Sequence, residues 1–207
     1  MPVVDLSYSR LQKLLGKVSK KQISDSLPFL GLDIESEDKD LVRVEYSPNR
    51  PDYSSDLGIL LGLQGLFGIK TGAVKLNIKK SNNYIINVES SVSKIMPFVN
   101  RIIAKNGRID DHTIRQLMAM QEDLHFGIGR KRKKSSIGIH DLDKISFPLT
   151  YTTTKRDHRF IPLNSDNEFT ISEILNNTDV GHNYGEILGN SLNVPLIIDS
   201  KKQTVSF

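Results

Sequence analysis

The sequence contains no cysteine, which excludes disulfides, thiol nucleophiles and Cys-ligated zinc together. It has no stretch approaching the roughly 18 consecutive apolar residues of a membrane span, so no membrane partner is expected. Its first residues, MPVVDLSYSRLQKLLGK, lack a basic segment followed by an apolar one, and no secretory signal is read there. The five histidines, His112, His125, His140, His158 and His182, show no HExxH-type spacing, so no metal site is expected. There is no internal repeat and no low-complexity tract. What remains is 207 residues, 38% hydrophobic and 25% charged, the composition of a folded, soluble protein. That length suits one large domain or two ordinary ones, and a cytoplasmic location is expected.

The charge is concentrated. The whole chain carries +4, and removing the +5 of Arg130, Lys131, Arg132, Lys133 and Lys134 leaves −1. This run stands directly before a short apolar pattern, Ser136-Ile137-Gly138-Ile139, read as a strand. That strand would deliver a polar tip, His140-Asp141-Leu142-Asp143-Lys144. A basic run beside a His/Asp-rich strand end is a way to hold a polyanion next to a chemical site.

Along the chain, Leu11, Leu14 and Leu15 repeat at helical spacing. Ser19 with Gln22 forms a capping box for a helix that Pro28 and Gly31 end. Residues 41–46 alternate as a strand. Asn49-Arg50-Pro51-Asp52 reads as a rigid structural turn, because Pro48 and Pro51 fix φ, and Arg50 is placed to pair with Asp52. Ser54 or Ser55 caps the next helix, with Leu57, Leu60, Leu61, Gln64 and Phe67 expected on its core face. Gly58, Gly62 and Gly65 in that helix imply close packing against a neighbour.

The polar segment 79–83 is the expected boundary, giving an N-terminal domain over 1–80 and a second over 84–207. In the second, 85–88, 98–104 and 149–154 read as strands, and 110–124 as a helix capped by Asp110 or Asp111, with Ile114, Leu117, Met118 and Leu124 on one stripe. Thr170-Ile171-Ser172-Glu173 is a capping box. Residues 194–199 and 204–207 read as two strands around a turn at 200–202. The fold class is α+β in two modules.

Four blocks carry a resemblance: Asn49-Arg50-Pro51-Asp52, Gly129-Arg130-Lys131-Arg132, Ile137-Gly138-Ile139-His140-Asp141-Leu142-Asp143-Lys144 and Phe160-Ile161-Pro162-Leu163. Together, in this order and over essentially all of the chain, the sequence resembles the N-terminal portion of phenylalanyl-tRNA synthetase β subunits of the archaeal and eukaryotic type. The resemblance implies a small N-terminal helix–sheet domain, then a mixed α+β domain that hydrolyses mischarged tyrosyl-tRNA. That second domain is expected to be incomplete at its C-terminus, since such subunits continue where this sequence reaches Phe207. It also implies tRNA(Phe) and an α subunit as partners in an α2β2 assembly. No cofactor is implied for this segment; ATP and Mg2+ are implied for the full enzyme. The family usually has a histidine a few residues before the glycine that Gly181 matches, ahead of the tyrosine that Tyr184 matches. Here Thr178 stands at about that place and His182 just after the glycine, which weakens any catalytic role carried over to His182.

Editing has a physical motive. A pocket for phenylalanine rejects an isostere that merely adds a hydroxyl by only about 10²-fold. A site that hydrogen-bonds the hydroxyl reaches roughly 10⁴–10⁵, because phenylalanine would leave its polar groups unpaired. Such a site needs neither metal nor thiol. The expected wall or rim is His140, Asp141 and Asp143, with Val205 and Ser206 from the last strand. The general base is unassigned, and water positioned by the substrate's own ribose hydroxyl is an alternative. Arg130–Lys134 are the expected tRNA contacts, through phosphates rather than bases.

Other readings stand beside these. The cationic run also fits a solvated loop, and Asp141 and Asp143 fit a turn whose carboxylates cap backbone amides. His125 and His158 are expected to be structural or surface residues. The rival function is a non-catalytic RNA-binding or assembly module that keeps the scaffold without a working pocket; a stand-alone hydrolase acting in trans is a third.

Overall fold

The computed structural model describes residues 2–105, 107 and 109–207. The chain forms two compact units, and each is discontinuous: Met1–Asn77 with Arg108–Ile137, and Ile78–Gly107 with Gly138–Phe207. The sequence assigned all of 84–207 to one domain; the structure instead places the helix and basic run of 108–137 in the first unit.

The first unit starts from alternation. Strand β1 (Val3–Ser7) and strand β3 (Leu41–Glu45) pair antiparallel, and β2 (Asp33–Glu37) joins the far side of β3. Val4, Leu6, Val42 and Val44 point to one face and are buried, as the two-residue period of a half-buried sheet requires. Helices α1 (Tyr8–Leu15) and α2 (Lys20–Ser26) cover that face with Leu11, Leu15 and Ile23. Each such side chain is worth about 1.5–3 kcal/mol in burial. The Ser19–Gln22 capping box opens α2, and Gly31 ends the following turn in the left-handed region at φ 75°.

Helix α3 (Asp56–Leu66) is capped by Ser55. Its buried face is Asp56, Ile59, Leu60 and Leu63, not the expected Leu57-Leu60-Leu61-Gln64-Phe67 stripe; Leu57 and Leu61 are exposed. The helix is apolar nearly all round, so periodicity could not choose its face. Gly58 has a definite reason: a Cβ there would lie 1.7 Å from the Asp52 carbonyl oxygen. The turn containing Asp52 therefore sits flush on the start of α3, with Arg50 donating to both Asp52 carboxylate oxygens at 3.0 and 2.7 Å. A Cβ at Gly62 would lie 3.0 Å from the Leu30 methyl groups, whereas one at Gly65 would meet only the Lys70 carbonyl at 4.0 Å.

Helix α4 (Asp111–Phe126), capped by Asp110, joins this unit through polar anchors. Gln116 Oε1 accepts the Asp56 backbone N–H at 2.7 Å, and Tyr46 donates to Asp123. The buried Asp56 carboxylate receives Arg10 Nε at 2.5 Å and meets His112 Nε2 at 2.9 Å. Ile114 and Met118, expected on its apolar stripe, are exposed. These side-chain anchors are why the helix falls with the first unit.

The second unit is built on a sheet in the order β4 (Ile86–Val88), β5 (Leu149–Lys155), β8 (Asn193–Ile198), β9 (Thr204–Ser206). β4 runs parallel to β5 and the other pairs are antiparallel. Between them lie the short pair β6 (Arg159–Phe160) and β7 (Phe169–Thr170), then α5 (Ile171–Asn177) and α6 (Asp179–Tyr184). Val92, Leu149, Tyr151, Ile171, Ile174, Val194 and Leu196 are buried here. The Thr170–Glu173 capping box opens α5.

Two expected strands are absent. Residues 98–104 are irregular, with Phe98 and Ile102 about nine-tenths exposed (93% and 89%), so their apolar run has no face to bury. Residues 136–139 are irregular as well. The backbone of Ile137 bonds to side chains of α4, not to a strand: its N–H donates to His125 Nε2 at 2.7 Å and its carbonyl accepts from Gln121 at 2.6 Å.

Candidate functional site

In the second unit the β8–β9 hairpin is organised by one buried carboxylate. Asp199 Oδ1 accepts the backbone N–H groups of Lys201 at 2.8 Å and Gln203 at 2.9 Å, which shapes the hairpin tip. Its other oxygen, Oδ2, accepts the Ser146 N–H at 3.3 Å, and Ser200 N–H returns to the Ser146 carbonyl at 2.9 Å. One side chain thus fastens the hairpin to the segment that leads out of the His140–Asp143 turn. A buried acceptor filled by three N–H groups is satisfied and rigid. Asp199 was read from the sequence only as the end of a strand; an aspartate opening an Asp-Ser-Lys-Lys turn was the available signal, since Asp side chains bond amides two residues on.

On β9 the register slips: Ile197 pairs with Ser206 while Ile198 pairs with Thr204. Val205 is therefore the extra residue of a bulge, a device that re-aims neighbouring side chains. His158 Nε2 meets Thr204 Oγ1 at 2.8 Å, and its ring stacks on Phe160 at 6.2 Å. Phe160 in turn meets Phe207 edge-on at 5.3 Å. His158, Thr204, Phe160 and Phe207 thus form a half-buried polar–aromatic group beside Val205 and Ser206. The sequence reading had His158 as structural or surface and did not connect it to β9. On β5, Tyr151 pairs with Ile197 and donates to the Met96 carbonyl at 2.8 Å. Burial pushes its phenol above the ordinary tyrosine range.

The His140–Lys144 segment is a 3-10 turn at Leu142–Lys144, not the tip of a strand. Asp141 caps it, accepting the Asp143 N–H at 3.1 Å. His140, Asp141 and Asp143 are all exposed, and the His140 ring lies over Gly138, where a Cβ would come within 2.6 Å of Nε2. These three fit a rim, not a buried acceptor. Among the described residues no hydrogen bond or ion pair joins them to Val205 or Ser206; the connection runs through Ser146 and Asp199.

Thr178 has its own task. It caps α6, accepting the Gly181 N–H at 3.0 Å while donating to the Ile174 carbonyl at 2.7 Å. Gly181 is buried where a Cβ would lie 2.3 Å from that same carbonyl oxygen, so close helix packing fixes it as glycine. His182 is exposed and bonds the Asn176 carbonyl at 2.7 Å.

Arg130–Lys134 belong to the first unit. They form a tight turn after α4, with all but Arg132 exposed; Arg132 donates to Glu122 at 2.7 Å. Among the described residues no group of three His, Cys, Asp or Glu side chains is arranged to hold a metal ion. Nor, among the described residues, is any helix long and apolar enough to cross a membrane.

No family model matches the chain. It is 42% identical over 207 residues to a phenylalanine–tRNA ligase β subunit of Archaeoglobus fulgidus, covering all of this chain and 38% of that protein. A β subunit of the same name from Methanosphaera stadtmanae is 39% identical over 208 residues, again covering all of this chain and 37% of that protein. Among solved structures, an N-terminal fragment of the phenylalanyl-tRNA synthetase β subunit from Pyrococcus horikoshii superimposes with a TM-score of 0.85 at 29% identity, covering 99% of this chain and 60% of the fragment. The chain thus spans well under half the length of the curated relatives it matches.

Proposed function

Since the chain belongs, over all of its length, with the N-terminal part of phenylalanine–tRNA ligase β subunits, we propose that it serves tRNA(Phe) charging in two ways. It forms part of an α2β2 assembly whose α subunit carries out ATP-dependent ligation in the cytoplasm. Its second unit hydrolyses tyrosyl-tRNA(Phe). The observation that carries the editing reading is the Asp199 clamp, which holds the bulged strand of Val205 and Ser206 and the segment after the His140–Asp143 turn on one frame.

In this reading water adds to the ester carbonyl carbon, the acyl–oxygen bond breaks, and tyrosine and the free ribose hydroxyl leave. Ser206 faces the acyl group from the bulge, while His140, Asp141 and Asp143 line the rim and order water. The neighbouring ribose hydroxyl positions the attacking water.

Deacylation of tyrosyl-tRNA(Phe) by Asp143→Ala and Ser206→Ala variants tests the assignment. Each is expected to lose at least about tenfold, the scale of one displaced positioning group, with tRNA affinity unchanged. Wild-type rates from both would remove these residues from the site.

One observation favours a second reading, a scaffold that binds RNA without catalysis: Asp141 is spent on capping Asp143, and the turn is exposed. Absence of any tyrosyl ester release, with tRNA binding retained, would select it.

A further inference from the structure

Arg130, Lys131 and Arg132 have φ values of 49°, 54° and 65°, three successive non-glycine residues in the left-handed region. There the Cβ of an L-residue crowds the following carbonyl oxygen, so such residues occur singly, and glycine or asparagine is the usual choice. The turn is nevertheless fully bonded. Arg130 N–H reaches the Gly127 carbonyl at 3.1 Å, Lys131 that of Phe126 at 3.3 Å, Arg132 that of His125 at 3.1 Å, Lys133 that of Arg130 at 3.2 Å and Lys134 that of Gly129 at 2.8 Å.

The base of this knob is locked. A Cβ on Gly129 would lie 2.6 Å from the Ser135 carbonyl oxygen. Arg132 is tied to Glu122 at 2.7 Å, and Glu122 also meets His125 Nδ1 at 3.3 Å. The buried His125 accepts the Ile137 N–H at Nε2, so in the neutral ring Nδ1 carries the proton directed at Glu122. Arg130, Lys131, Lys133 and Lys134 remain exposed, and among the described residues no carboxylate pairs with them. The negative end of the helix dipole favours cations at this position, but it does not account for side-chain-bearing residues in a left-handed turn.

We propose that this knob is a preformed clamp for a nucleic-acid phosphate backbone, in which cations occupy positions where glycine would fold at least as well. The inference deepens the tRNA reading and rests on it. Every amide of the run is occupied by a carbonyl, so contacts come only from side chains. Because cationic side chains on phosphates carry no sequence information, binding is insensitive to base sequence and strongly dependent on salt.

The test uses the intact chain with a tRNA(Phe) transcript and an unrelated RNA duplex, titrated over salt. Arg130→Gly, Lys131→Gly, Arg130→Ala and Lys131→Ala are compared, with Lys75→Ala as a charge control elsewhere. Glycine and alanine at one position should weaken both RNAs alike, severalfold, and reduce the log–log salt slope by about 0.7–0.9 per lost contact. Their melting temperatures should separate: glycine variants at or above wild type, alanine variants below glycine. The charge control should leave the binding constant near wild type. Wild-type affinity in the knob variants, or glycine variants melting below their alanine counterparts, would overturn the proposal. If the knob variants lose RNA while the chain releases no tyrosine from tyrosyl-tRNA, the editing reading fails and the clamp stands. Intact hydrolysis with unchanged affinities fails the clamp alone.

Discussion

Asp199 Oδ2 accepts the backbone N–H of Ser146 at 3.3 Å, joining parts of the chain 53 residues apart, while its Oδ1 holds the hairpin tip. Asp199→Ala is expected to destabilise the second unit by about 2–3 kcal/mol, because it removes three hydrogen bonds to a buried carboxylate. Amide exchange at Ser146, Lys201 and Gln203 should accelerate together. Acceleration at Lys201 and Gln203 alone would mean that the link to Ser146 contributes nothing.

Two glycines of α3 separate close packing from simple propensity. Gly58→Ala places a Cβ 1.7 Å from the Asp52 carbonyl oxygen and should lower stability by about 3 kcal/mol or more through overpacking. Gly65→Ala meets nothing nearer than 4.0 Å and should gain about 0.5–1 kcal/mol. Chemical denaturation of the two variants gives both signs in one experiment.

The first unit carries opposite pH dependences at its extremes. The hydrogen bonds from Arg50 hold the Asp52 carboxyl below its ordinary range. A depressed folded-state pKa contributes stability above the unfolded value near 4, lost as pH falls through the folded one. Both partners are about half exposed (45% and 50%), so the contribution is at most about 1 kcal/mol. Asp52→Asn should flatten the acid limb of the stability profile by that amount.

At the alkaline end, burial pushes the Tyr8 phenol up to about 12, and burial with the bond to Asp123 pushes Tyr46 higher still. A raised folded-state pKa gives stability that is complete below the unfolded value near 10 and lost as pH rises through the folded one. Ultraviolet titration should show these two phenols ionising late, and Tyr8→Phe should reduce the loss of stability between about pH 10 and 12.

Elements specified by neighbouring residues were legible in the sequence. The Ser19–Gln22 and Thr170–Glu173 boxes, the Asp110 cap and the hairpin strands each rest on contacts a few residues apart, and the strand at 41–45 shows in its two-residue alternation. The Arg50–Asp52 pair was legible for the same reason. Long-range partners were not. The face of α3 was hidden because leucines surround it, and α4 joined the first unit through Gln116, Asp123 and His112, none of which marks a partner in sequence. Residues 98–104 and 136–139 have strand-like composition without a ladder to join. The left-handed turn at 130–132 contradicts local propensity outright. Of the candidate site, the His140–Asp143 turn was read from the residues and Val205 and Ser206 followed from the resemblance, whereas Asp199 and the His158–Thr204 contact emerged only from the fold.

The most direct measurement is release of amino acid from tyrosyl-tRNA(Phe) and phenylalanyl-tRNA(Phe) by this chain under identical conditions. An editing unit should hydrolyse the tyrosyl ester at least about 10²-fold faster, since its polar groups are paired only by the extra hydroxyl. Equal rates for both esters, or release of neither, would contradict that account.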